Sequence, residues 1–82
     1  MYKILFSRSA KKAIDKISIN DKDRIRQEIE KLKFDPRPRN CKKLRNRDAY
    51  RIRIGNYRAI YRVIDEFLVV DIVKIGHRKN IY

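Results

Sequence analysis

The chain has 82 residues, which suit a single domain over residues 1–82, and its net charge is +13 because 23 lysines and arginines outnumber 10 acidic residues. This charge favours a polyanionic partner, above all nucleic acid; an acidic protein, an anionic membrane surface and a simply soluble basic surface remain alternatives. The longest apolar run, residues 67–70, is far shorter than the ~20 residues of a membrane-spanning helix, so we expect no such helix.

The first predicted elements are a strand and two helices. Residues 2–6 are rich in strand-forming side chains, and they lack the long apolar stretch of a secretory signal peptide. The helices are indicated by apolar residues at helical spacing: Ala10, Ala13, Ile14 and Ile17, then Ile25, Ile29 and Leu32. Ser7 or Ser9 is expected to cap the first helix. Asn20 or Asp21 is expected to open the second, and the short connection predicts an antiparallel helical hairpin.

A basic loop follows the second helix, which is expected to end at Asp35 because a residue before proline avoids helical geometry. Residues 37–47 contain no acid and six basic side chains: Arg37, Arg39, Lys42, Lys43, Arg45 and Arg47. These side chains are predicted either to be solvated or to bind the phosphate backbone of RNA. Cys41 is the only cysteine, so no internal disulfide can form and we expect a cytoplasmic protein.

From residue 49 onward the sequence alternates with the period of a β-strand. Residues 49–54 and 57–64 form a predicted hairpin around a two-residue Gly55-Asn56 turn. A second turn at Asp65-Glu66 leads into an apolar strand over residues 67–75. The expected fold is therefore α+β with the order β-α-α-β-β-β, a helical hairpin packed on one face of a small, mainly antiparallel twisted sheet.

The alternation divides this sheet into two unlike faces. The face for the helices is apolar and contains Tyr50, Ile52, Ile54, Tyr57, Ala59, Tyr61, Val63, Leu68, Val70 and Ile72. The other face contains Arg51, Arg53, Arg58, Ile60, Arg62, Val69, Asp71 and Val73. Four arginines with one acid cannot form a second core, so an open basic surface is expected.

The hairpin turn places Arg53 directly opposite Arg58, and like charges at such positions are destabilising. Arginine offers planar, forked donors that suit phosphate, so the two guanidinium groups can bracket a phosphodiester whose charge relieves their repulsion. The alternative is that these arginines are simply solvated.

Arginine cannot readily move a proton, whereas His77 and Tyr82 can. We expect His77 to lie at the rim of the basic face, where the last strand ends; the alternatives are a structural histidine and a frayed or packing tyrosine. The acids are scattered, His77 is the only histidine, and the chain has two glycines. We therefore expect no metal site, no glycine-rich phosphate loop and no cofactor.

The segment KKLRNRDAYRIRIGNYRAIYRVID, followed by VVDIVKIGHRKNIY, resembles the RelE/ParE superfamily of bacterial and archaeal toxins, and the RelE-like branch most closely. The resemblance covers about residues 42–82, while the first 35 residues match only in size and in their β-α-α pattern. It implies a type II toxin whose partners are a cognate acidic, RelB-like antitoxin and the ribosome. It also implies metal-independent cleavage of mRNA in the ribosomal A site, by attack of a 2′-hydroxyl on the adjacent phosphate.

The resemblance also implies roles for individual residues. Its catalytic positions fall at Arg51, Arg53, Arg58, Arg78 and Tyr82. RelE-like enzymes often have lysines on the first hairpin strand, where this chain has arginines, so His77 becomes the candidate base. RNA binding is expected from the six basic loop residues and Arg62. A ParE-like gyrase poison without nuclease activity, or a non-catalytic RNA-binding module, remains an alternative.

Overall fold

The computed structural model describes residues 1–77 of the chain. These residues contain two helices and five strands. In chain order they are β1 (Lys3–Phe6), α1 (Arg8–Asp15), α2 (Ile19–Lys31), β2 (Cys41–Lys43), β3 (Tyr50–Ile54), β4 (Tyr57–Ile64) and β5 (Val69–His77), with a 3-10 turn at Asp65–Phe67 between the last two strands. The sheet has the order β1-β5-β4-β3-β2, with β1 parallel to β5 and the other neighbours antiparallel. The predicted α+β class is confirmed.

One strand was not expected from the sequence. Residues 41–43, predicted as loop, form β2 and pair antiparallel with β3, so the observed order is β-α-α-β-β-β-β. A short, lysine-rich strand is typical of a sheet edge, where charge and brevity discourage pairing with other chains. Three residues are too few to show a period of two, which explains why the sequence indicated only a loop.

Each helix begins after a serine. Ser7 caps α1, as predicted, and its hydroxyl accepts a hydrogen bond from a first-turn backbone N–H at 3.0 Å. For α2 the prediction of Asn20 or Asp21 was wrong, because the cap is Ser18. The Ser18 backbone is extended and its carbonyl accepts the first helical hydrogen bond, from the Lys22 N–H at 2.8 Å. Asp21 therefore lies in the first turn, where a negative charge interacts favourably with the helix dipole.

The helices cover one face of the sheet, as the apolar pattern predicted. The helical side of this core consists of Ala10, Ile14, Ile25, Ile29 and Leu32, and the sheet side of Ile52, Ile54, Ala59, Tyr61, Val70, Ile72 and Ile75. Leu68 was wrongly predicted in this layer; it is 49% exposed and has a positive φ of 52°. The reason is that the chain is still turning there, and β5 begins only at Val69. Neither helix within residues 1–77 is long and apolar enough to cross a membrane.

A β-bulge in β5 reverses its alternation of side chains. Lys74 lies opposite Ile60, whereas Ile72 lies opposite the next residue of β4, so Val73 is an extra residue in the strand. Beyond this point Ile75 joins Ile72 in the core. Lys74 is thereby turned to the face that the helices leave uncovered, together with Ile60.

Candidate nucleic-acid interface

The uncovered side of the sheet, here called the arginine face, contains Arg51 and Arg53 on β3 and Arg58 and Arg62 on β4. Arg53 and Arg58 lie directly opposite each other, as the predicted turn requires. Directly opposed residues of antiparallel strands have Cβ atoms about 4.5–5.5 Å apart, so the two side chains start close together. The like-charge pair expected from the sequence is therefore present in the fold.

The hairpin turn that sets this register depends on Gly55. Its φ is +60°, a left-handed conformation that other residues adopt only at a cost. A Cβ atom at this position would also lie 3.2 Å from Nη1 of Arg24, a residue of α2. Any other residue at position 55 would be strained, so the turn that pairs Arg53 with Arg58 requires glycine.

The two paired arginines differ in their surroundings. Arg53 is exposed, while Arg58 is half-buried and its Nε atom is buried. The base of the Arg58 guanidinium is thus held within the sheet surface, which limits the orientations of this side chain. On β5 the residue opposite Arg58 is Gly76, which contributes no side chain beside the guanidinium.

A second row of basic residues crosses the sheet beside this pair. Lys42 on β2 lies opposite Arg51 on β3. Arg51 lies opposite Ile60, and Ile60 lies opposite Lys74. Lys42 and Lys74 are exposed at the two ends of the row, and Ile60 is only 2% exposed. The arginine face therefore carries two adjacent cationic rows near the hairpin turn.

Lys74 is a candidate that the sequence analysis missed. Uninterrupted alternation from Ile72 would place Lys74 on the helix-covered face, and only the bulge at Val73 brings it to the arginine face. One signal was present in the sequence: Ile72 and Ile75, both of them core residues, are spaced by three positions rather than two. That spacing is incompatible with a regular strand that has one buried face.

The cationic character does not extend over the whole face. Arg62 lies opposite Asp71, and Ala49 and Ile60 form a small buried cluster with Leu44 against them. The expectation that this face contains no second core was therefore too strict, because Leu44, next to β2, covers the apolar positions of β3 and β4. A groove of about 650 Å³ borders this cluster, and its charged residues are two basic and three acidic: Arg47, Arg62, Asp48, Glu66 and Asp71.

The predicted basic loop does not act as one surface. Lys42 faces the same side as Arg51, whereas Lys43 lies opposite Tyr50 and so points to the helix-covered side. Arg39 and Arg45 are exposed. Arg47 lines the groove described above. Of the six residues, Lys42 and Arg47 share a face with the arginine pair.

Arg37 is part of an intramolecular network. Its Nη2 atom contacts Oδ2 of Asp65 at 2.9 Å, and its Nε atom donates a hydrogen bond to the Tyr50 hydroxyl at 2.9 Å. The Tyr2 hydroxyl donates to Oδ1 of Asp65 at 2.6 Å. Nearby, the Tyr61 hydroxyl donates to a carbonyl of the preceding loop at 2.8 Å. We assign Arg37 the role of tying the loop after α2 to β1, β3 and the β4–β5 turn.

This network makes the stability sensitive to acid. The hydrogen bond from Arg37, followed by that from Tyr2, holds the pKa of Asp65 below its ordinary value of 3.8. The same contact with Asp65 raises the pKa of Tyr2. Because the folded-state pKa of Asp65 is depressed, its stabilising effect is present above the ordinary pKa and is lost as the pH falls through the folded-state pKa.

We therefore expect the thermal midpoint of the wild-type chain to fall more steeply below pH 4 than that of Asp65→Asn. The two proteins should differ most near neutral pH, where the wild-type carboxylate is ionised. Thermal unfolding followed by circular dichroism across this pH range measures the effect. Glu66→Gln, at the neighbouring exposed carboxylate, is the matched control and should follow the wild type. Parallel curves for wild type and Asp65→Asn would contradict the assigned role.

His77 lies on the side opposite to the arginines. It pairs with Tyr57, and the two rings are in edge contact with centroids 5.7 Å apart. The bulge at Val73 is again the reason, because it reverses the alternation of the last residues of β5. The structure thus does not bring His77 together with Arg58. The predicted site residues Arg78 and Tyr82 lie outside the described residues.

RelE structures have the same fold. The chain has a TM-score of 0.84 and 29% identity to a chain of the intact E. coli RelBE toxin-antitoxin complex, over 94% of this chain and 96% of that one. For the archaeal RelE-RelB complex from Pyrococcus horikoshii OT3 the values are 0.86 and 28%, over 98% of each chain. For the RelBE2 complex from Mycobacterium tuberculosis they are 0.84 and 28%, over 94% and 98%.

Fold and sequence agree on the class, a toxin of type II toxin-antitoxin systems with a RelE-like structure. The family described as "ParE toxin of type II toxin-antitoxin system, parDE" matches residues 4–82. The chain belongs to this family, within the RelE/ParE toxin superfamily that the motifs of the C-terminal half had indicated. No curated protein sequence is significantly similar to the chain.

Proposed function

We propose that this toxin is a RelE-like mRNA interferase, an endoribonuclease that cleaves mRNA on the translating ribosome in the cytoplasm. The observation that carries the proposal is the Arg53–Arg58 pair on a sheet face without helical cover, beside a second cationic row. Two guanidinium groups held at this spacing suit one phosphodiester. Directly opposed like charges destabilise a hairpin, and an anion bound between them relieves their repulsion.

The chemistry assigned to this face is electrostatic. When the 2′-oxygen attacks phosphorus, negative charge grows on the non-bridging oxygens, and preorganised cations stabilise that charge most effectively. Arg51, Arg53 and Arg58 are the proposed charge-stabilising residues, and Arg78 and Tyr82 remain predictions from the family resemblance. Lys42, Arg47 and Arg62, on the arginine face, are proposed to guide the mRNA backbone, and Arg39, Lys43 and Arg45 remain predictions. His77 stays a predicted base, which would require its ring to leave the contact with Tyr57.

We also propose an acidic antitoxin as the partner that keeps this toxin inactive. The solved relatives from E. coli and M. tuberculosis are toxin-antitoxin complexes, and the relative from P. horikoshii is a RelE-RelB complex. A net charge of +13 attracts an acidic chain and makes its association dependent on salt. An antitoxin that covers the arginine face would neutralise the residues proposed to bind RNA.

A ParE-like gyrase poison is the second candidate, because the matching family is described as ParE toxin. Expression in bacteria separates the two functions. As an mRNA interferase the toxin should arrest growth and leave 5′-hydroxyl breaks in translated mRNA. Gyrase-dependent DNA damage with intact mRNA would favour the ParE-like function and contradict our proposal.

A further inference from the structure

Within residues 1–77, the arginine face carries two lysines that can donate a proton to a leaving oxygen, Lys42 and Lys74. Cleavage by a 2′-hydroxyl expels an alkoxide oxygen, which needs a proton as it leaves. The guanidinium groups of Arg51, Arg53 and Arg58 keep their protons under any relevant condition. Lys42 and Lys74, in contrast, carry ammonium groups that can release a proton. The position of each lysine relative to Arg58 decides between them.

Lys74 is the nearer of the two in the register of the sheet. It lies on β5, adjacent to β4, and it is displaced by two residues from the position opposite Arg58. Cβ atoms in such a diagonal relation are about 7–8 Å apart, within the reach of two long side chains. Lys42 lies on β2, two strands away from Arg58. Strands are spaced by about 4.8 Å, so this separation is close to 10 Å before the offset along the strands is added.

Two residues lie beside the diagonal from Lys74 to Arg58: Ile60 on β4 and Gly76 on β5. Ile60, the neighbour of Lys74 across the strands, is only 2% exposed and packs with Ala49 and Leu44. Gly76, two residues after Lys74, has no side chain opposite Arg58. Lys74 itself is exposed. Within residues 1–77, neither of these two neighbouring positions carries a charge, so the Lys74 ammonium can approach the bridging oxygen of a phosphate bound by Arg53 and Arg58.

We propose that Lys74 is the proton donor to the leaving oxygen in RNA cleavage, a role that rests on the proposed mRNA interferase function. The 2′-oxygen forms a bond to phosphorus while the bond from phosphorus to the 5′-oxygen breaks. The 2′-hydroxyl proton passes to water, and an Nζ proton of Lys74 passes to the 5′-oxygen. The products are a 2′,3′-cyclic phosphate and a 5′-hydroxyl. Water then returns a proton to the lysine.

The test uses purified toxin, ribosomes carrying a defined mRNA, and single-turnover cleavage. Lys74→Ala is expected to slow cleavage by about 100-fold or more, the size typical of lost general acid catalysis, with unchanged binding to the ribosome. Lys74→Arg keeps the charge but should not restore the rate, because arginine does not release its proton. Lys12→Ala, an exposed lysine on α1, is the matched control and should cleave like the wild type.

An mRNA with sulfur in place of the leaving 5′-oxygen isolates the proton transfer. A thiolate leaves without protonation, so wild type and Lys74→Ala should cleave this mRNA at similar rates. Full activity of Lys74→Ala or Lys74→Arg on normal mRNA, or an equal defect of Lys74→Ala on both mRNAs, overturns the proposal. If the wild type cleaves neither mRNA, the mRNA interferase function fails and the role of Lys74 with it. If wild type and Lys74→Ala cleave normal mRNA equally, only the role of Lys74 fails.

Discussion

Replacing Arg58 with alanine is expected to lower ribosome-dependent mRNA cleavage by about 100- to 1,000-fold, the usual effect of removing one preorganised donor to a developing oxyanion. Arg58 is held more firmly than its partner Arg53, because Arg58 is half-buried with its Nε atom within the sheet surface and Arg53 is exposed. The strand pairing around it does not depend on its side chain. We therefore expect Arg58→Ala to stay folded, with a circular dichroism spectrum like that of the wild type.

The matched control is Arg26→Ala. Arg26 is an exposed arginine on α2, in the helical layer on the other side of the sheet, so this variant loses the same charge away from the proposed site. Cleavage at the wild-type rate is expected for Arg26→Ala. Full activity of folded Arg58→Ala would contradict the proposed site. An equal loss in both variants would show that the overall charge, and not the site, determines cleavage.

Arg53→Gln is expected to stabilise the free toxin while impairing it. Opposed like charges cost a hairpin roughly 0.2–1 kcal/mol, so removing one guanidinium should raise the free energy of unfolding by about that amount. Cleavage should fall about 100-fold, because Arg58 then faces the phosphate without its partner. Chemical denaturation and single-turnover cleavage measure the two effects. A gain in stability with a loss of activity is the trade-off expected where a functional site carries built-in repulsion.

Phosphate ions give a second readout of the Arg53–Arg58 pair. At constant ionic strength, inorganic phosphate should raise the thermal midpoint of the wild type more than that of Arg53→Gln, because an anion that binds only the folded state stabilises it. Arg26→Gln is the matched control, since it removes the same charge from an exposed position on α2, away from the arginine face. It should show neither the gain in stability nor the weaker response to phosphate. An identical response of all three proteins would contradict the phosphate-binding pair.

Much of the arginine face was predictable because one turn determines its register. The Gly55-Asn56 turn directly implies that Arg53 and Arg58 are paired, and the structure has this pair. The helical stripes were equally clear, since apolar residues at spacings of three and four leave few other interpretations. In these segments the local preference for helix, strand or turn agrees with the tertiary packing. Under that condition the sequence pattern predicts the structure.

The bulge at Val73 limited the prediction of the rest of the site. A single additional residue moves every later side chain of a strand to the other face. His77 was expected beside the arginines and instead contacts Tyr57, while Lys74 takes a place on the arginine face. The position of a bulge depends on how two strands pack together, so the spacing of Ile72 and Ile75 becomes informative only once both are known to be core residues.

The contacts of Arg37 were not predictable for a different reason. Arg37 and Asp65 are 28 positions apart, and Tyr2 and Asp65 are 63 positions apart, so no local pattern connects them. In the sequence Arg37 is one of six similar basic residues. Only the folded chain distinguishes Arg37, which holds loops together, from Lys42, which joins the cationic row at Arg51.

The most direct test of the function is to identify the mRNA ends formed by the purified toxin. Toxin is added to ribosomes that carry a defined mRNA, and the new fragment ends are determined chemically for wild type and Arg58→Ala. We expect wild type to produce a downstream fragment with a 5′-hydroxyl and an upstream fragment with a cyclic phosphate, and Arg58→Ala to leave the mRNA intact. If a wild-type toxin that arrests growth leaves the mRNA intact, cleavage by the 2′-hydroxyl on the arginine face is contradicted. Fragments that carry a 5′-phosphate would contradict it as well.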